Sequence, residues 1–176
     1  MMAHLQKLLL LGGAWLLMSG NVGAAEVGVH ITGTLTIPPC TINSGQVINV
    51  NFGNVLVTDL SNVSYHKKTT VSVACPYYKG TPWVKVNGTQ LSGAGDNVLS
   101  TNISGFGIAL YQGDGVSIPL HLNGVSPYGA QIISGFSGKG TANGTFTFTA
   151  VPYKVGTDQL SGGDFSATAS MTITYI

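Results

Sequence analysis

Apolar residues recur at every second position over much of the chain. The clearest run is the last. Phe165, Ala167, Ala169, Met171, Ile173 and Tyr175 alternate with Ser166, Thr168, Ser170, Thr172 and Thr174. That period of two belongs to a half-buried β-strand. Thr145–Tyr153 repeats it, with Phe146, Phe148 and Ala150 set against Thr147 and Thr149. Thr69–Cys75 places Val71, Val73 and Cys75 on one face. Trp83–Val86 and Phe106–Tyr111 are further predicted strands. Gly, Asn and Pro separate these runs, and no helical spacing follows residue 25. There is no fixed repeat and no linker that divides the chain. The pattern predicts an all-β sandwich.

The start of the chain carries two further patterns. Leu8–Met18 is an eleven-residue apolar run preceded by Lys7 and followed by small residues ending Gly23-Ala24-Ala25. This predicts a secretory signal peptide over 1–25, since a membrane span needs about 20 apolar residues. Next, Val27, Val29, Ile31, Gly33, Leu35 and Ile37 alternate with Gly28, His30, Thr32, Thr34 and Thr36. The alternation predicts a strand over 27–37, stopped by Pro38-Pro39, which cannot continue a ladder. On alternation alone the first reading is an ordinary first strand of the sandwich, and the alternative is an arm that pairs elsewhere.

Charge removes several functions. The chain has 7 Lys and no Arg against 6 acids, 7% charged in all, where an ordinary domain has about a quarter. Without clustered cations there is no nucleic-acid surface. Loss of 1–25 removes Lys7 alone, leaving six Lys and six acids. The two cysteines, Cys40 and Cys75, both follow the export segment. An even count in an oxidising compartment predicts a disulfide. A metal site is the rival reading, but the pair lacks the usual close-set Cys and His partners. His30, His66 and His121 are scattered among the strands and turns. Gly135-Phe136-Ser137-Gly138-Lys139 misses the final glycine of a nucleophile elbow. No calcium spacing, carboxylate pair or phosphate loop occurs. The sequence therefore predicts no catalytic residues, no metal, no cofactor and no small-molecule substrate.

Four segments carry a family resemblance. They are the alternating arm with Gly33 leading into Ile37-Pro38-Pro39-Cys40, the Cys40 to Cys75 spacing, Gly105-Phe106-Gly107-Ile108-Ala109-Leu110-Tyr111, and the ending Gly163–Ile176. In these the chain resembles the pilin subunits of chaperone–usher pili, the surface fimbriae of Gram-negative bacteria. Such pilins carry a glycine fourteen residues from the C-terminus and a penultimate aromatic, positions filled here by Gly163 and Tyr175. Within the family the likeness is greatest to the minor tip adaptor pilins of P pili.

The resemblance implies an incomplete immunoglobulin-like β-sandwich over 39–176 that lacks its final strand. It implies that residues 26–38 are an N-terminal donor-strand extension, inserting Val29, Ile31, Gly33, Leu35 and Ile37 into a neighbour. Gly33 would lie where the groove is shallow, and Ile31 in the pocket where exchange begins. Gly163, Phe165, Ala167, Ala169, Met171, Ile173 and Tyr175 would border the acceptor groove and bind the chaperone. The implied partners are a periplasmic chaperone, an outer-membrane usher, neighbouring pilins and the tip adhesin. The implied route runs through the periplasm to a surface fimbria. A rod pilin or a terminator would share these features. A self-contained secreted glycan-binding sandwich, using Tyr77, Tyr78 and Trp83, and a small secreted hydrolase are the readings outside the family.

Overall fold

The structure, a computed structural model, describes residues 25–124 and 126–176. The predicted export segment lies outside the described residues except for Ala25. The chain divides into two compact units, Met1–Thr34 and Leu35–Ile176. In the first, residues 25–34 form neither helix nor strand, and Val27, Val29 and Ile31 are exposed. In the second, Leu35 and Ile37 are also exposed and unpaired among the described residues. The strand predicted over 27–37 is thus not formed. Alternation supplies a strand's two faces, but a ladder partner is what fixes it, and 27–37 has none among the described residues.

Among the described residues, nine strands build the second unit. They are β1 (Thr41–Ile42), β2 (Lys67–Ala74), β3 (Pro82–Gly88), β4 (Val98–Ser100), β5 (Phe106–Gln112), β6 (Ala130–Gln131), β7 (Phe136–Ser137), β8 (Asn143–Lys154) and β9 (Ala169–Tyr175). One sheet runs β1-β2-β8-β5-β4, with β7 also paired to β8. The other runs β6-β3-β9. All the ladders are antiparallel. Asn43–Gly45 and Val63–Tyr65 form short 3-10 turns.

The predicted alternation becomes the core. Val71, Val73, Ile108, Leu110, Phe146 and Phe148 come from the first sheet. Val84, Val86, Ile173 and Tyr175 come from the second and meet them in one cluster. The polar residues between them face out, and Thr70 and Thr147 hydrogen-bond across the β2–β8 ladder at 2.8 Å. β5 departs from alternation, with both faces of Phe106–Leu110 buried. Its other face packs Ala109 with Leu91 and Val98 in a small second cluster. Gly107 belongs to that close packing, since an added Cβ would lie 2.5 Å from the Leu99 carbonyl oxygen.

Cys40 and Cys75 form a disulfide. It ties the residue before β1 to the residue after β2. The metal alternative for this pair falls with it.

Candidate functional site: an open groove along the last strand

β9 pairs with β3 from Tyr175 back to Ala169, opposite Gly88. The predicted strand was longer, reaching Phe165. It stops because β3 ends at Gly88 and offers no further backbone. The alternation nevertheless continues, with Phe165 and Ala167 half-buried and Ser166 and Thr168 exposed.

Backbone direction follows from the terminal pairs. Ile176 and Thr81 exchange both main-chain bonds, at 3.0 and 2.8 Å, so even-numbered residues of β9 face β3. Odd-numbered residues face the other way. Ile173 does so against the β1 side, accepting from the Cys40 N–H at 2.8 Å. Upstream of that bond, Met171, Ala169, Ala167 and Phe165 have no main-chain partner on this side among the described residues.

What they face is a groove. Its far bank is Gln46–Phe52, where Ile48, Val50 and Phe52 are half-buried and Asn49 and Asn51 exposed. Its floor is core: Val86, Leu99, Ile108, Leu110, Phe148 and Ala150. The groove has a volume of about 810 Å³. A packing defect holds a water or two at about 30 Å³ each. A gap this large, long and apolar has room for a run of side chains. At its upstream end lies a pocket lined by Phe52, Leu60, Ile103, Phe106, Leu160 and Phe165. The Phe165 ring packs edge-on to Phe106 at 4.9 Å and tilted against Phe52 at 5.9 Å. Gly163 sits beside this pocket at φ 150°, a conformation that residues with a Cβ rarely adopt.

Two strand-like banks, with no ladder between them among the described residues, and an apolar floor make an open groove in the sandwich. Residues 29–176 match the family model described as "Fimbrial protein". The chain belongs to the fimbrial protein family. It is 46% identical over 160 residues to the fimbrial adapter PapF of Escherichia coli, covering 91% of this chain and 94% of that one. The minor fimbrial protein PrsF of Escherichia coli is 45% identical over the same shares. The solved P pilus adaptor subunit PapF superposes with a TM-score of 0.58 at 45% identity, covering 80% of this chain and 98% of that one. The rod subunit PapA, at 22% identity and a TM-score of 0.52, shares the fold. This pilin therefore has the immunoglobulin-like sandwich of chaperone–usher pilins.

The structure distributes the residues singled out in sequence as follows. Phe165, Ala167, Ala169 and Met171 line the groove. Ile173 and Tyr175 do not, being buried in the core below its closed end, with Tyr175 against Phe136 at 6.2 Å. Among the described residues, Gly33 has nothing within 4 Å of an added Cβ. His121 pairs with Asp96 at 2.7 Å on the surface, and Trp83 lies within β3. Among the described residues no His, Cys, Asp and Glu group has metal-binding geometry. Two participants escaped the sequence reading. The bank Gln46–Phe52 had its alternation obscured by the exposed Val47. Asn102, whose carboxamide holds Asp164 and Ser166, carried no signal at all.

Proposed function

We propose that this fimbrial protein is a minor adaptor pilin that assembles by donor-strand exchange. Residues 1–25 direct export and are removed, 26–38 are the donor arm and 39–176 the acceptor domain. In the periplasm a chaperone strand occupies the groove. At the usher, the arm of the next pilin replaces it, while this pilin's own arm enters the adhesin. The protein's role is structural rather than enzymatic, and it ends in a surface fimbria.

The observation that carries this reading is the apolar groove with an unpaired backbone edge, found in a chain whose arm exposes Ile31, Leu35 and Ile37. Strand addition uses main-chain bonds for affinity and alternate side chains for register. The arm has those alternate side chains, and the groove has the edge. The greater identity to adaptors than to the rod subunit supports the adaptor place over the rod.

Leu35→Asp tests it. The arm would then carry a charge into an apolar groove, at a cost of several kcal/mol. Incorporation with the adhesin into fimbriae is expected to fall at least about 100-fold. Recovery of the chaperone-bound subunit should be unchanged, because its own groove is untouched. Fimbriae carrying Leu35→Asp at the wild-type level would refute the donor-arm assignment.

A further inference from the structure

We infer that Asn102 is a positioning residue for strand uptake, holding the upstream bank of the groove in strand conformation before a donor arrives. This rests on the donor-strand reading above. The Asn102 Nδ2 donates to the Asp164 carbonyl at 3.0 Å, and its Oδ1 accepts from the Ser166 N–H at 2.8 Å. Both partners are even-numbered, and even residues point toward the β3 side. β3 has ended by then, its last ladder pair being Gly88 with Ala169. The carboxamide therefore stands in for the missing neighbour. It offers one donor and one acceptor to the residues flanking Phe165, as a main-chain residue of an adjacent strand would.

The consequence falls on Phe165. With Asp164 and Ser166 held on one side, the Phe165 N–H and C=O point to the other, into the groove. Its ring turns inward against Phe106 and Phe52. Without the clamp, residues 163–168 have no ladder on either side and must be ordered by the incoming strand itself. Ordering backbone at the moment of binding slows association and weakens it. Asn102 is itself fixed by a tight turn. Ile103 N–H donates to the Thr101 hydroxyl at 3.1 Å, and that hydroxyl donates to the Phe106 carbonyl at 2.8 Å. A rigid turn thus anchors the clamp to the start of β5.

The test uses the mature chain held by a pilus chaperone and challenged with peptides of residues 26–38, 30–38 and 26–34. Native mass spectrometry follows release of the chaperone. Asn102→Ala should slow uptake of the full peptide about tenfold, the loss of two hydrogen bonds. Asn102→Asp keeps the acceptor for Ser166 and should fall between. One of the two shortened peptides does not reach Phe165, and its uptake should be the same with and without the substitution. A role in general stability would slow all three peptides alike, and that result overturns the inference. So does uptake of the full peptide by Asn102→Ala at the wild-type rate. If Asn102→Ala cannot be recovered, Asn102→Asp carries the same comparison. A wild-type chain that takes up none of the peptides contradicts the donor-strand reading itself, and this inference falls with it.

Discussion

A chain beginning at Pro39, with residues 26–38 appended after Ile176 through a flexible linker, is expected to be far more stable than the same chain without them. Burying an aliphatic side chain contributes about 1.5–3 kcal/mol. Ile31, Leu35 and Ile37 together contribute about 5–9 kcal/mol as an upper estimate, because an unfolded chain already hides part of that surface. Whole domains are stable by only about 5–15 kcal/mol. In the bare domain the groove over Leu99, Ile108 and Phe148 is unfilled, so the packing that the arm would add there is missing. For a domain of this size the gain corresponds to a rise in melting temperature of about 10–36 °C. The bare domain should also aggregate, since an unpaired strand edge is a template for pairing. Thermal unfolding by circular dichroism reads both effects. Equal melting of the two chains would mean that the sandwich is already complete.

Replacing both Cys40 and Cys75 by Ser is the next largest expected loss, at about 4 kcal/mol in the chain-entropy model for a loop of this length. The position of the bridge adds a local effect. Cys40 donates its N–H to the Ile173 carbonyl, and that bond closes the downstream end of the groove. Loss of the bridge leaves Pro39–Ile42 held to β2 by the two-residue β1 ladder alone, which weakens that end. Measured in the chain with the appended arm, the midpoint should fall by about 8–16 °C. A fall of less than about 3 °C would show that β1 and the core hold this corner without the bridge.

The long strands were legible because their burial is one-sided. β2 and β9 alternate between core and solvent, and β8 does so except at Thr149, which is buried and hydrogen-bonded to the Gly113 carbonyl, so sequence period and structure largely coincide. The strands β1, β6 and β7 have two residues each and β4 has three. So short a run carries no period, and pairing with β2, β3, β8 and β5 defines these elements instead. The two banks of the groove illustrate the opposite case. Phe165–Thr168 and Gln46–Phe52 alternate as strands do, yet neither forms a ladder, because pattern specifies faces and pairing needs a neighbour. The same reason explains why 27–37 reads as a strand and is not one in the described chain. Asn102 was illegible for a different reason. An asparagine after a strand is an ordinary turn residue, and its partners Asp164 and Ser166 lie over sixty positions away.

Residue-resolved hydrogen exchange tests the missing strand most directly. The chaperone is displaced from the held chain by the peptide of residues 26–38, and amide exchange along β9 is read in the peptide-filled chain. With a strand added at this edge, the odd-numbered amides of Phe165, Ala167, Ala169 and Met171 are expected to exchange at least about 100-fold slower than in an unfolded chain, as those of Ser170, Thr172 and Thr174 on the β3 side do. Fast exchange at the odd positions beside protected even ones would contradict a strand added at this edge.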